Sequence, residues 1–169
     1  GVILASTDVE DEYAEHLNRG IGLYLLARER ATLDADAPLS VEGLLCRAAG
    51  ELTLGWFNHS EMGLEHKHDG SPVTAADRAA ERMLREEISA ELPDGAIRGE
   101  EEEDRPGTSG RTWVIDPIDG TKNFVRGVPV WATLIALIED GVPVLGVVSA
   151  PALQRRWWAV DGQGAFAKV

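Results

Sequence analysis

The chain has 169 residues, 44% of them hydrophobic and 27% charged, which is ordinary for a soluble globular protein and enough for one domain with a real core. Its formal net charge is −13, which argues against nucleic acid or an anionic membrane surface as partner, because both require a basic patch. An anionic substrate stays open, since a bound divalent cation reverses the local sign in a site.

Cys46 is the only cysteine, so no intramolecular disulfide forms, and a reducing cytoplasm is the expected location. No apolar run reaches the length of a membrane span; Gly1-Val2-Ile3-Leu4-Ala5 is too short and lacks the basic start of a signal peptide. The sequence begins without Met, so a processed or partial chain is expected.

Residues 9–33 have helix-forming content, with Tyr13, Leu17, Ile21, Tyr24 and Leu25 at near-helical spacing, although Gly20 and Gly22 weaken the middle. No chemistry is evident there. Residues 34–38 read as a linker, so 1–39 is expected to be a helical extension. Ser40 is a candidate N-cap for a helix carrying Leu44, Leu45, Ala48, Leu52 and Trp56 on one face.

His59, His66 and His68 lie with Glu61, Glu65 and Asp69 in the polar stretch 58–71. Imidazole is a good zinc ligand, but the spacing matches no zinc pattern, and the alternative is a solvated loop. Thr74-Ala75-Ala76-Asp77 then opens a strong helical run through Ala79, Ala80, Met83, Leu84 and Ile88, ending before Pro93-Asp94-Gly95. Thr74 with an acid three residues on has the pattern of a capping box, which by itself accounts for Asp77. Five consecutive acids, Glu100 to Asp104, would ordinarily be a solvated loop. Residues 105–111, rich in Gly, Pro, Ser and Thr, read as a mobile loop beside the site that closes over substrate.

Trp113, Val114 and Ile115 are β-favouring and predict a short buried strand ending at Asp116, because Pro117 cannot donate to a ladder. Asp119-Gly120 supplies turn chemistry, so the chain bends with Ile118 between two carboxylates. Both carboxylates and the Ile118 carbonyl can then meet at one point, a set of hard oxygen ligands suited to Mg²⁺. Gly120 and Thr121 lead into one helical turn whose free N–H groups suit a phosphate. Taken singly, Asp-Pro and Asp-Gly are also ordinary turn dipeptides.

The stretch Asp116-Pro117-Ile118-Asp119-Gly120-Thr121-Lys122-Asn123-Phe124 resembles the signature of the inositol monophosphatase superfamily. The flanking segments 124–132 and 149–158 most resemble its histidinol-phosphate phosphatase branch, and the resemblance covers roughly residues 44–169. It implies an α+β fold, the layered α/β sandwich of the inositol monophosphatase and fructose-1,6-bisphosphatase type, here truncated to its N-terminal portion over residues 40–169. It implies Mg²⁺-dependent, lithium-sensitive hydrolysis of a small phosphorylated metabolite with two or three ions bound, in a homodimer. Histidinol phosphate is the expected substrate; an inositol or sugar phosphate is the alternative, as is a metal-binding fragment without turnover.

The same resemblance assigns Glu100, Asp116 and the Ile118 carbonyl to a first ion, and Asp116 with Asp119 to a second. Val73-Thr74-Ala75-Ala76-Asp77 is similar to the family's first motif, which pairs Asp77 with Thr121 to align a water. Gly99-Glu100-Glu101 resembles its Gly-Glu-Glu motif, with Glu100 the ligand and Glu101 its neighbour, and Lys67 resembles a lysine placed near the site. Gly120 and Thr121 would steady the phosphate. Members also carry a later Trp-Asp motif that completes the second ion site; Asp140 and Asp161 stand in no such motif, so the chain is read as a fragment.

Beyond the motif, residues 130–138, the turn Glu139-Asp140-Gly141 and residues 142–149 read as a β-hairpin, and 157–160 with 164–167 as another. Trp157 and Trp158 are expected to pack in the sheet.

Overall fold

A computed structural model describes residues 32–33, 41–58, 63–68 and 72–168. Two helices, α1 (Val41–Trp56) and α2 (Ala75–Glu91), pack on each other and on one face of a seven-stranded sheet. The strands are β1 (Thr32–Leu33), β4 (Ala96–Arg98), β5 (Arg111–Asp119), β6 (Ala132–Glu139), β7 (Val142–Ala150), β8 (Arg155–Val160) and β9 (Gly164–Lys168), in the order β1-β9-β8-β7-β6-β5-β4. Among the described strands only the outer pairs β4–β5 and β1–β9 are parallel. A separate two-stranded ribbon joins β2 (Glu65–His66) to β3 (Pro72–Val73), and a single short helix, α3 (Thr121–Val125), follows β5.

This is the α+β arrangement expected, and the two predicted hairpins are β6–β7, across Asp140-Gly141, and β8–β9. Period-two alternation builds the core. Trp113 and Ile115 on β5 point to the helices, Ile115 stands opposite Ile135, and Ile135 opposite Val147, so one apolar row crosses three strands. Leu84 and Ile88, one turn apart on α2, fill this row from above and are fully buried. Replacing Leu84 by Ala removes a side chain with no solvent exposure, and is expected to cost about 2–5 kcal/mol in denaturant unfolding. Trp158 joins the same core and stacks on Phe166 at 5.5 Å, as a sheet-packing residue should.

Three expectations need correction. Thr32 and Leu33, read as the end of a helix, are extended and pair with Phe166 and Ala167, where the open side of β9 offers ladder partners. β5 does not stop at Asp116; it runs through Pro117 to Asp119, because a bulge absorbs the residue that cannot donate. Segment 105–110 does not lie over the acids. Arg105 exchanges two backbone bonds with Ile97 and its guanidinium binds the carbonyls of Leu92 and Gly95, while Thr108 and Ser109 donate to the Asp94 carbonyl. Gly110 then accepts from Asp140 in the β6–β7 turn. The segment therefore ends beside Arg111, five residues along β5 from Asp116, about 17 Å away at strand rise.

The helical reading of residues 9–31, the linker 34–38, Ser40 and the side chains of Leu44, Leu45 and Ala48 lie outside the described residues, as do His59, Glu61 and Asp69. No helix among the described residues is long and apolar enough to cross a membrane.

Candidate metal centre

The bulge in β5 decides where the two aspartates point. In a regular strand, residues three apart face opposite sides of the sheet. Here Asp116 stands opposite Leu134 and Asp119 opposite Ala132, so three steps on β5 match two on β6. The extra residue resets the pleat, and both carboxylates face the same side. Two bonds hold the distortion: the Ile118 N–H donates to Asp116 Oδ1 at 3.1 Å, and the buried Thr133 hydroxyl donates to the Pro117 carbonyl at 2.9 Å.

Glu100 comes to the same place by register. β4 pairs with β5 in parallel, with Ala96, Ile97 and Arg98 beside Thr112, Trp113 and Val114, so two residues further on Glu100 reaches the level of Asp116. Lys67, the residue after β2, closes this side: its Nζ lies 2.8 Å from Glu100 Oε1 and 3.0 Å from Glu101 Oε1. Glu101, read as a neighbour of the site, has a side chain only 3% exposed and is more deeply set than Glu100, at 34%.

α2 brings the fourth acid. Thr74 caps the helix with its hydroxyl, and Asp77 Oδ2 accepts from both the N–H and the hydroxyl of Thr74, so the predicted capping box is present. The other oxygen, Oδ1, accepts from Thr121 Oγ1 at 3.2 Å. The carboxylate thus serves the cap and the motif at once, one oxygen each. Thr121 opens α3 behind Gly120, whose φ of 97° and ψ of 31° suit glycine; a side chain there would also press on the Val130 carbonyl at 3.2 Å. Phe124, fully buried against Phe57 and Trp131, anchors the turn from below.

Residues 37–168 match the sequence profile of the inositol monophosphatase family. The chain belongs to that family. It is 56% identical over 125 residues to the histidinol-phosphatase of Mycobacterium tuberculosis, covering 74% of this chain and 48% of that protein. It is 52% identical over 132 residues to the histidinol-phosphatase of Streptomyces coelicolor, covering 76% and 49%. Among solved structures, the Thermotoga maritima IMPase aligns with a TM-score of 0.68 at 40% identity, over 73% of this chain and 48% of that one. The chain spans about half the length of the curated relatives it matches.

The electrostatics of this inositol monophosphatase family site are those of a cluster carrying more negative charge than it can solvate. Burial first, then the charges of Glu100 and Asp119, hold Asp116 well above the usual carboxylate range. Burial and Glu100 raise Asp119 in the same way, and burial raises Asp77 despite its bonds from Thr74 and Thr121. Burial pushes Glu101 up to about 7, although Lys67 opposes the shift. For Lys67, burial works against the charged form but is outweighed by Glu100 and Glu101, and its pKa rises.

Among the described residues no group of three or more His, Cys, Asp or Glu side chains is placed to hold a metal ion; Glu100 and Glu101 are turned to the Lys67 ammonium. The donor set nevertheless fits a hard divalent cation. It is all oxygen, Asp116 at its centre is buried, and the charge of Glu100 raises the pKa of both aspartates, which is the repulsion a cation relieves. His66 and His68 are exposed and join no such group, so the zinc alternative gains nothing among the described residues.

A pH dependence follows. Glu101 is raised in the folded state from an ordinary 4.5 to about 7, so between those values the unfolded chain has lost a proton that the folded chain keeps. Stability from this group is therefore greatest below about 4.5 and declines as pH rises to about 7, by up to roughly 3 kcal/mol. Thermal melts in a chelator are expected to show a Glu101→Gln variant losing less stability than the parent across that window.

The site residue that sequence reasoning missed is Glu81. It is fully buried on α2, one turn beyond Asp77, and its carboxylate accepts from the N–H groups of Glu100, Glu101 and Glu102. The signal was available: Glu81 falls within the apolar stripe Ala76, Ala80, Leu84 and Ile88, where an unpaired acid would be costly.

Proposed function

We propose that this inositol monophosphatase family chain forms the catalytic-acid portion of a Mg²⁺-dependent phosphomonoesterase whose substrate is histidinol phosphate. The observation that carries the chemistry is the juxtaposition of Glu100, Asp116 and Asp119 with the Asp77–Thr121 pair. The substrate assignment rests on the relatives named histidinol-phosphatase, from 45% to 56% identical to this chain.

Glu100, Asp116 and the Ile118 carbonyl would hold one ion, and Asp116 with Asp119 a second. Mg²⁺ bound there supplies a water of lowered pKa and offsets charge on the phosphate and the departing alkoxide. Thr121 has one hydroxyl proton and two acceptors in reach, Asp77 Oδ1 at 3.2 Å and the Ile118 carbonyl at 3.0 Å. Given to ionised Asp77, that proton leaves the carbonyl available as a ligand. Oγ1 then keeps lone pairs to accept a hydrogen from the attacking water and aim its oxygen at phosphorus. The N–H groups of Gly120 and Thr121, ahead of those that bond back to the Gly120 carbonyl, would steady the phosphate.

Inositol phosphate is the second substrate to be weighed, because solved relatives include proteins named inositol monophosphatase. A panel of phosphomonoesters offered to the complete gene product separates the two. Histidinol phosphate is expected to give the higher kcat/KM. Hydrolysis of inositol phosphate at an equal or greater kcat/KM would refute the substrate assignment and leave the metal chemistry standing.

A further inference from the structure

We infer that Glu81 is the positioning residue of the metal centre: its carboxylate acts as an internal anion that fixes the backbone of the Glu100–Glu102 segment and thereby sets metal affinity. The inference deepens the metal-site reading and rests on it. Glu81 Oε2 accepts from the N–H of Glu100 at 3.0 Å and of Glu101 at 2.7 Å, and Oε1 accepts from the N–H of Glu102 at 3.0 Å. Three successive amides turned toward one point form a concavity of the kind that binds anions. Here the protein fills that concavity with its own side chain.

Two further features show that the fit is specific. Arg85, one turn along α2, binds Glu81 Oε1 through Nε at 2.8 Å and the Glu102 carbonyl through a terminal nitrogen at 2.9 Å, so it neutralises the carboxylate and ties down the same segment. Gly99 passes so close that a Cβ there would fall 2.0 Å from Glu81 Oε1. The glycine ahead of the two glutamates is thus required by the carboxylate behind them. Because Asp77 and Glu81 lie one turn apart, a single rigid helix positions both the water-orienting threonine and the metal-binding glutamate.

Serving this role differs from simply burying a charge pair. Once the amides are held, the Glu100 and Glu101 side chains start from a fixed backbone, so binding a cation orders less of the chain. Glu81→Gln keeps the size but turns an NH₂ group toward amide donors, which frees the segment. Gly99→Ala leaves Glu81 intact and displaces its carboxylate.

The test uses the complete gene product, with Mg²⁺ binding followed by calorimetry and exchange of the amides of residues 100–102 followed by NMR. Both Glu81→Gln and Gly99→Ala are expected to weaken Mg²⁺ about 10–100-fold and to expose those amides to exchange, while kcat at saturating Mg²⁺ changes far less. In the Glu81→Ala/Gly99→Ala pair the added methyl group meets no carboxylate and only the flexible end of Arg85, which is free to move once Glu81 is gone, so the second change is expected to add little to the first. If Glu81→Gln fails to fold, Gly99→Ala decides alone. Unchanged Mg²⁺ affinity in a folded variant with freely exchanging amides would overturn the role of Glu81. A parent protein that binds no Mg²⁺ would instead overturn the metal reading beneath it.

Discussion

Asp116→Asn is expected to reduce Mg²⁺-dependent phosphate release by the complete gene product to a few per cent of the parent or less. Asp116 is the acid both proposed ions share, it is 3% exposed, and it lies between Glu100 and Asp119. Asparagine keeps the volume and one acceptor for the Ile118 N–H, so the bulge that aims the motif should persist. What disappears is the charge that makes a cation worth binding at that point. The loss should be at least the roughly 100-fold that removing a ligand's outer partner can cause. Because burial and two neighbouring charges make ionised Asp116 costly in the metal-free state, the variant should also melt higher than the parent in a chelator. That pairing of lost activity with gained metal-free stability distinguishes a ligand from a residue that merely supports the fold.

Thr121→Val carries the second large effect. Valine matches threonine in shape and removes only the hydroxyl that joins Asp77 to the Ile118 carbonyl. The expected result is a fall in kcat of about 100- to 1000-fold, within the range for losing a group that directs proton transfer, with Mg²⁺ affinity and KM little altered. Thr121→Ser should restore most of the rate. An unchanged kcat in the valine variant would show that the Asp77–Thr121 pair serves the capping of α2 and nothing more.

Much of this site could be read before any coordinates. Thr74 and Asp77 have capping-box spacing, and the box is present; Asp116 to Thr121 bears the family's motif, and its Thr121 donates to Asp77. The β-favouring run Trp113-Val114-Ile115 and the Asp-Gly turn at Asp140-Gly141 give the central strands, because buried strands and tight turns leave local marks. What was illegible depends on partners distant in sequence. β1 and β4 have two and three residues, too few to show a period, and exist because longer neighbours offer open ladder edges. The passage of β5 through Pro117 depends on Thr133 from the next strand. Segment 105–110 has the composition of a lid, yet Arg105 finds carbonyls at the end of α2 and draws it away from the acids. Glu81 lacks a motif of its own; its place in the apolar stripe of α2 marks a buried acid, but its partners are distant in sequence and meet it only when the amides of residues 100–102 fold over it.

The measurement that bears most directly on the central claim is inorganic phosphate released from histidinol phosphate by the complete gene product, in chelator and then with Mg²⁺ restored. The account predicts no release above background in chelator, recovery on adding Mg²⁺, and suppression of that recovery by lithium. Release that persists undiminished in chelator would contradict it, because Glu100, Asp116 and Asp119 would then be acting without the cation their arrangement is proposed to hold.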